Sequence, residues 1–244
     1  MASVSLITYC KGRHLDAEKY FPAAIAAMGP CDELVFVDYS DPGDVKSLLL
    51  ESRDGRITLV SAPGREWFHA NHSRNLGLRA AAGDLVVFTD VDFCVTREFV
   101  EEVRLLPARS YYVQPDEVGS WGCVACFRAD ALEIQGWDEA FVGYGCDDLH
   151  FRRSLDALGR TCFRMKARLV GEKFPQGQVR IHEASQNVTA AFNRRLAIIL
   201  RGLHPYKENV SRNWGLGGQV LRWSELGYGL VQSERDRAVQ RAQD

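Results

Sequence analysis

The chain has 244 residues, with 30 Lys and Arg against 32 Asp and Glu, and a formal charge of −2. This balance argues against a nucleic-acid-binding protein that works by bulk electrostatics. A composition of 46% hydrophobic and 25% charged residues is typical of an ordinary globular domain and excludes disordered and collagen-like classes. No apolar run reaches the length of about 18 residues that a membrane span needs, and residues 1–8 lack a basic, then apolar, signal peptide pattern.

The first half of the chain alternates apolar runs with helical patterns. Strands are predicted at 4–8, 33–39, 57–60 and 85–89, and helices at 15–28, 44–52 and 70–82. This alternation is typical of a parallel α/β sheet. The uninterrupted apolar run at 85–89 predicts a central strand that is covered on both faces.

The second half has a more mixed pattern. Strands are predicted near 110–114 and 121–128, a loop rich in Gly and Trp at 136–146, a helix from Asp147 to about 158, one or two strands up to 182, and a helix at 188–202. The tail from 203 onward ends in a charged stretch that resembles a frayed helix.

The seven cysteines are odd in number and irregularly spaced, which favours a reducing compartment over a disulfide framework. Cys123 and Cys126 have CxxC spacing, but no second pair of cysteines or histidines accompanies them. Their neighbours are typical of a strand. We therefore interpret them as small buried thiols rather than a zinc or redox site.

Polar side chains follow several of the predicted strands. Lys11 and Arg13 come after the first strand, Asp38 ends the second, and Asp90 and Asp92 come directly after the fourth. In parallel α/β sheets ligands bind at the carboxyl ends of the strands. Carboxylates at i and i+2 can converge on a hard cation, and the cation can neutralise a diphosphate. The alternative is a solvated acidic turn or a helix cap.

Two further groups carry potential chemistry. Asp147 and Asp148 open a predicted helix after a Gly-flanked loop, so either they only favour the helix dipole or one of them acts as a general base. His182 follows a predicted strand. A lone histidine is usually a packing or surface residue, but beside two carboxylates it could be a third ligand of Mn²⁺.

Four segments in this order resemble nucleotide-sugar glycosyltransferases of the GT-A fold, closest to the family 2 enzymes and to the carboxyl-terminal region of β-1,4-galactosyltransferases. The most specific is Gly136–Asp148 (GWDEAFVGYGCDD), which is similar to the family's G-(F/W)-(D/P)-x-x-(F/Y)-x-G-W-G-x-E-D run. Phe88–Asp92 resembles the DxD strand end, Trp121–Cys126 the F-G-G-V-S-A stretch, and Val179–His182 the segment with the metal-binding histidine. The resemblance covers about residues 3–183.

The resemblance implies a Rossmann-like α/β fold with a central mixed, mostly parallel sheet flanked by helices. It also implies the following roles: metal ligands at Asp92 and His182, with Asp90 near the ribose or a metal-bound water; a catalytic base at Asp148 and an acceptor-sugar contact at Asp147; nucleotide and donor-sugar contacts at Thr8, Lys11, Arg13, Asp38, Arg74, Asp90, Trp121 and Gly122.

The implied activity is metal-dependent transfer of a hexose or N-acetylhexosamine from a UDP-sugar to an acceptor hydroxyl, with inversion and with Mn²⁺ or Mg²⁺ as cofactor. The acceptor would be a glycan, a glycolipid or another hydroxyl compound, and no nucleic acid partner is expected. Residues 1–203 would form the catalytic domain, with a nucleotide-binding half at 1–95 and a donor-sugar and acceptor half at 96–203. Residues 204–244 would be a helical extension. A cytoplasmic location is expected, with peripheral contact at the inner membrane face allowed.

The sequence departs from the family pattern at four places. Asp147 stands for the usual Glu, Tyr144 for the Trp, and Val179 for a metal-binding Met, and the first-strand motif has Tyr9, Cys10 and Lys11 where galactosyltransferases have P-F-R. Two alternatives stay open: a retaining enzyme similar to polypeptide N-acetylgalactosaminyltransferases, which have DxH where this chain has Asp92, and a non-catalytic module that binds nucleotide-sugars. A nucleotidyltransferase would need a Gly-rich loop after the first strand, which Lys11 to Arg13 does not supply.

Overall fold

The computed structural model describes residues 1–171, 186–200 and 214–222. Its strands are β1 Val4–Cys10, β2 Glu33–Asp38, β3 Ile57–Ser61, β4 Leu85–Phe88, β5 Phe93–Cys94, β6 Ser110–Val113, β7 Val124–Phe127, β8 Thr161–Arg164, β9 Val170–Gly171 and β10 Gln219–Arg222. Its helices are α1 His14–Ala27, α2 Val45–Ser52, α3 Ala70–Ala80, α4 Arg97–Arg104, α5 Arg128–Glu133, α6 Asp147–Ala157 and α7 Gln186–Ile199. A short 3₁₀ turn covers Asp116–Val118.

The central sheet has eight strands in the order β10-β3-β2-β1-β4-β7-β6-β8. Neighbouring pairs among β3, β2, β1 and β4 are parallel, whereas β7 runs antiparallel to both β4 and β6, and β10 runs antiparallel to β3. The strands β5 and β9 pair separately. This mixed, mostly parallel sheet confirms the fold class that the sequence predicts.

Alternation along the strands builds a hydrophobic core on each face of the sheet. On one face, Leu6 of β1 packs with α1, α2 and α4, which contribute side chains such as Tyr20 and Phe99. On the other face, Ile7 packs with α3, α5 and α6, which contribute side chains such as Leu76 and Phe151. The sheet is therefore buried between two helical layers, and loops cover the edge at which the parallel strands end.

Among the helices in the described part of the chain, α2, α3 and α4 begin at side-chain caps. The carboxylate of Asp44 accepts from the amide of Ser47 (3.0 Å), and the hydroxyl of Thr96 accepts from the amide of Phe99 (3.2 Å). In α3 the imidazole of His69 accepts from the amide of His72 (3.2 Å). Each cap satisfies a backbone donor that the first helical turn leaves unpaired. Each cap therefore fixes the residue at which the preceding loop ends and the helix begins.

The predicted helices and strands through residue 171 are observed, with bounds shifted by a few residues. Cys123 and Cys126 lie in or next to β7 and are buried, as the interpretation of small buried thiols expects. In the tail, 219–222 form a strand of the central sheet, where a helical extension was expected; pairing with the exposed edge of β3 outweighs local helix propensity. No helix among the described residues is long and apolar enough to cross a membrane.

Candidate active site

A cleft of about 330 Å³ opens at the carboxyl ends of β1 and β4. The loops before α3, β7 and α6 complete its walls. Its lining comprises Tyr9, Lys11, Arg13, Phe68, Ala70, Arg74, Asp90, Val91, Asp92, Gly119, Trp121, Gly122, Gly143, Tyr144, Gly145, Cys146, Asp147 and Asp148. The cleft therefore brings together most of the side chains that the sequence singled out, at the sheet edge where parallel α/β proteins bind ligands.

The first wall carries the DxD carboxylates, directly after β4. The hydroxyl of Tyr9 donates a short hydrogen bond to Asp90. Each carboxylate also faces an arginine: Arg74 Nη2 lies 3.6 Å from Asp90 Oδ1, and Arg13 Nη2 lies 3.7 Å from Asp92 Oδ2. These two cations offset the negative charge of the pair and hold it at the edge of the sheet.

The donor chemistry of this wall fits a divalent metal ion. Asp90 and Asp92 supply carboxylate oxygens, which are the ligands that Mg²⁺ and Mn²⁺ prefer. Within 1–171, 186–200 and 214–222, no cluster of three His, Cys, Asp or Glu side chains completes a metal site. The predicted third ligand, His182, lies outside the described residues.

The two basic residues after β1 do different things. The ammonium of Lys11 donates to the carbonyls of Ser40 (3.0 Å) and Arg65 (2.6 Å), so it ties together the loops that follow β2 and β3. Arg13 donates from Nε to Asp16 (2.6 Å), while its Nη2 lies 3.7 Å from the Asp92 carboxylate. Arg13 is therefore the cation nearest to the DxD carboxylates on this side of the cleft.

The second wall is the start of α6, where Asp147 and Asp148 follow a loop with left-handed backbone at Gly143 (φ 76°), Gly145 (φ 100°) and Cys146 (φ 66°). Cys146 is an uncommon residue in that conformation, and it turns the chain sharply into the helix. Burial, and then the negative charge of Asp147, raise the pKa of Asp148 above the usual aspartate range. A half-buried carboxyl with a raised pKa is suited to accept a proton.

Side chains of α3 hold the loop that leads to this wall. The amide of Asn75 pairs with both backbone groups of Trp137: it accepts from the N–H (2.8 Å) and donates to the carbonyl (2.8 Å). Asn71 donates to the carbonyl of Asp138 (2.8 Å). Both asparagines are buried, so these bonds fix the loop in a region where water does not compete.

Helix α7 holds the same loop from the other side. Asn193 donates to the carbonyls of Val142 (3.0 Å) and Tyr144 (3.1 Å), and Thr189 accepts from the amide of Tyr144 (3.1 Å). A Cβ at Gly143 would lie 2.6 Å from the Thr189 side chain, so only glycine fits against the helix here.

Aromatic side chains line the mouth and the floor of the cleft. Trp121 and Tyr144 are 52% and 49% exposed, which leaves their faces available to a ligand. The rings of Tyr9 and Phe68 stack with centroids 5.7 Å apart. Neither Tyr9 nor Phe68 is predicted from the sequence as a site residue. The alternation of β1, with Ile7 facing the same side as Tyr9, is a signal for Tyr9, whereas no local pattern indicates Phe68.

Two of the predicted site residues that the structure describes, Thr8 and Asp38, do not line this cleft. Thr8 is fully buried, because alternation along β1 places it on the α1 face with Leu6. Asp38 ends β2 but does not line the cleft; its carboxylate accepts from the amide of Asp41 (2.8 Å), and burial raises its pKa. His182 lies outside the described residues. The cleft thus contains the remaining predicted residues: Lys11, Arg13, Arg74, Asp90, Asp92, Trp121, Gly122, Asp147 and Asp148.

Comparison with known proteins finds the fold rather than a family. No protein-family model matches the sequence, and a search by sequence among curated proteins gives no match. Among solved structures, PcManGT, a mannosyltransferase from Pyrobaculum calidifontis in complex with GDP-Man and Mn²⁺, superposes with a TM-score of 0.59 at 20% identity, over 72% of this chain and 58% of that one. The chain has the GT-A fold.

Two other glycosyltransferases support this assignment. TarS residues 1–349 from S. aureus, in complex with UDP-GlcNAc, gives a TM-score of 0.65 at 13% identity, over 82% of this chain and 67% of that one. The catalytic domain of Drosophila β1,4-galactosyltransferase 7, in complex with xylobiose, gives 0.50 at 15% identity, over 77% and 73%. The GT-A domain described here spans less than two thirds of the PcManGT chain, 58% of its length.

Proposed function

We propose that this protein is a metal-dependent glycosyltransferase that moves a hexose or N-acetylhexosamine from a UDP-sugar to an acceptor hydroxyl, with inversion at the anomeric carbon. The observation that carries the proposal is the pair of carboxylate clusters in one cleft. Asp90 and Asp92 lie on one wall, where a cation and a diphosphate would bind, and Asp147 and Asp148 lie on the other. Such a cleft can hold a leaving group and a base on different sides of a sugar.

Asp92, Asp90 and His182 would hold the metal ion. When bound, a divalent ion supplies positive charge that offsets the charge of a departing diphosphate. Arg13, 3.7 Å from Asp92, adds a fixed positive charge to the same wall. Preorganised charge of this kind is commonly the largest contribution to catalysis, because it needs no rearrangement during the reaction.

Asp148 would act as the general base. Its carboxylate takes the proton of the acceptor hydroxyl as the acceptor oxygen forms a bond to the anomeric carbon. The bond between that carbon and the diphosphate oxygen breaks, and its electron pair leaves with UDP. The raised pKa of Asp148 makes it a stronger base than an ordinary aspartate.

Solved structures with this fold support the substrate class. The PcManGT structure is a complex with GDP-Man and Mn²⁺, and the TarS structure is a complex with UDP-GlcNAc. The exposed faces of Trp121 and Tyr144 at the cleft mouth suit the apolar C–H face of a sugar ring.

The test is release of UDP from a panel of UDP-sugars, with and without Mn²⁺, by the wild type, Asp92→Ala and Asp84→Ala. Asp84 precedes β4 and lies at the opposite end of the strand from Asp90, so it is the matched control. We expect Mn²⁺-dependent release from one donor, lost in Asp92→Ala and kept in Asp84→Ala. Release from no donor, or release that Asp92→Ala retains in full, would overturn the proposal.

A further inference from the structure

Arg74 lies between the two carboxylate clusters of the cleft, and its contacts assign it a different task from the nucleotide contact that the resemblance implies. We propose that Arg74 is a positioning residue: it holds the carboxylate of Asp147, and through it the start of α6, in place for the reaction. The inference rests on the proposed function, because it concerns the same cleft.

The contacts of the guanidinium favour Asp147. Arg74 Nη1 donates to Asp147 Oδ2 at 2.7 Å, whereas Nη2 lies 3.6 Å from Asp90 Oδ1. The same Nη1 also donates to Asn71 Oδ1 at 3.0 Å. The strong, direct ion pair is therefore the one across the cleft to the α6 wall, and the contact with the DxD wall is looser.

Packing leaves little of this guanidinium for a phosphate. Arg74 is 5% exposed, and its Cζ lies 4.1 Å from the centre of the Trp137 ring and 5.2 Å from that of Tyr9. A Cβ at Gly122 would lie 2.5 Å from Nη2, so the backbone of Gly122 closes that side. Within the described residues the buried Nε makes no hydrogen bond. The group is enclosed by the protein on several sides, as a structural cation is.

An arginine suits this position better than a lysine would. Its planar guanidinium can stack on an aromatic ring while its forked donors reach two acceptors at fixed angles. A lysine at residue 74 could offer one compact charge to Asp147 but could not stack on Trp137 and keep the bond to Asn71. We therefore expect Lys to restore the charge of Arg74 without restoring its geometry.

The experiment separates binding from turnover. Affinity for UDP in the presence of Mn²⁺ is measured by calorimetry, and the rate of UDP release is measured with the donor that the wild type uses. The variants are Arg74→Gln, Arg74→Lys, Asp147→Asn and the double variant Arg74→Gln/Asp147→Asn. Arg79→Gln is the matched control, because Arg79 lies on the same helix and contacts a tryptophan, Trp214, outside the cleft.

If Arg74 acts through Asp147, Arg74→Gln and Asp147→Asn each keep UDP affinity within about twofold and each slow release by about 10- to 100-fold, the range expected for a small misplacement of a reacting group. The double variant is no slower than the slower single variant, because residues that act as a unit give non-additive losses. Arg79→Gln keeps both the wild-type affinity and the wild-type rate.

Two results overturn the inference while leaving the proposed function intact. The first is a loss of UDP affinity of about tenfold or more in Arg74→Gln, which would make Arg74 a ligand contact. The second is a loss of rate in the double variant that equals the product of the two single losses, which would make the two residues independent. A wild type that neither binds nor releases UDP overturns the proposed function itself. If Arg74→Gln does not fold, Arg74→Lys decides: a slower rate at unchanged affinity supports the inference, and a wild-type rate overturns it.

Discussion

The two walls of the cleft reach their positions by different physical means. Asp90 and Asp92 follow a strand in the middle of the sheet, so the backbone ladder of β1 and β4 fixes them. Asp147 and Asp148 follow a long loop whose position depends on side chains of α3 and α7, above all Asn75. The first wall is a product of sheet geometry, and the second is a product of buried hydrogen bonds between parts of the chain distant in sequence.

This difference indicates which wall is more sensitive to the loss of a single side chain. Backbone hydrogen bonds in a central sheet are many and tolerate the loss of a side chain, whereas a loop held by a few side chains can move when one of them is removed. We therefore expect substitutions beneath the second wall to affect both stability and turnover, and we expect substitutions of the DxD carboxylates to affect metal and nucleotide binding. Four predictions test this comparison.

The largest effect is expected at Asp148. Asp148→Asn removes the proton acceptor but keeps the size of the side chain, so the rate of UDP release should fall by about 10²- to 10⁴-fold. UDP affinity measured in parallel should be unchanged, because the binding wall is intact. If Asp148→Asn released UDP at a rate within twofold of the wild type, with about the same UDP affinity, Asp148 would be excluded as the base.

The second prediction concerns the support of the loop. Asn75→Ala removes the two hydrogen bonds that its side chain makes with the buried N–H and carbonyl of Trp137. Removing one partner of a buried hydrogen bond costs about 1–3 kcal/mol, so the free energy of unfolding in urea should fall by at least about 2 kcal/mol. UDP release should slow in the fraction that stays folded.

The control for this variant is Ser73→Ala, on the same helix. The Ser73 hydroxyl is buried and donates to the carbonyl of Ala70 within the helix (2.8 Å), not to the loop. Its removal should cost less than Asn75→Ala. Equal losses for the two variants would mean that the loop does not depend on Asn75.

The third prediction is a pH dependence. The base must be deprotonated, and burial and the charge of Asp147 raise the pKa of Asp148, so kcat/KM should decline on the acid side at a pH above the usual aspartate range. Asp147→Asn removes the neighbouring charge, which lowers the pKa of Asp148 and moves this decline to lower pH. The check is a pH–rate profile of UDP release for both proteins, and a decline at the same pH in both would contradict the assignment.

The smallest effect is expected in α7. Asn193→Ala removes the two hydrogen bonds to the loop carbonyls of Val142 and Tyr144, and we expect a loss of about 1 kcal/mol in the free energy of unfolding. Phe192→Ala, an exposed neighbour on the same helix, should change it by no more than about 0.5 kcal/mol. Thermal unfolding of the two variants measures this difference. If Phe192→Ala were destabilised more than Asn193→Ala, α7 would not support the second wall.

The sequence predicts the first wall well and the second only in part. A five-residue apolar run followed by Asp90 and Asp92 fixes both the strand and the end at which the carboxylates lie. The start of α6 at Asp147 is also visible from the preceding glycines. The support of that loop by Asn75 and Asn193 is not, because their bonds to the loop backbone join positions 49 to 62 residues apart, and no local pattern encodes them.

Two of the predicted nucleotide contacts make other contacts in the structure. Thr8 was expected at the nucleotide, but the alternation of β1 turns it to the α1 face. Lys11 lies in the cleft as expected, yet its ammonium is bound by two carbonyls of neighbouring loops, which depends on how the ends of β2 and β3 approach each other. The strand β10 completes the sheet from the far end of the chain, and its short sequence carries no signal of its partner.

The most direct test of the account is a calorimetric titration of UDP into the wild type, Asp92→Asn and Asp84→Asn, each with and without Mn²⁺. Asp92 and Asp84 lie beyond opposite ends of β4, so the two variants make the same change in charge at the cleft and away from it. The account predicts Mn²⁺-dependent UDP binding by the wild type and by Asp84→Asn, and its loss in Asp92→Asn. Binding of UDP that is equal in all three proteins and independent of Mn²⁺ would contradict it.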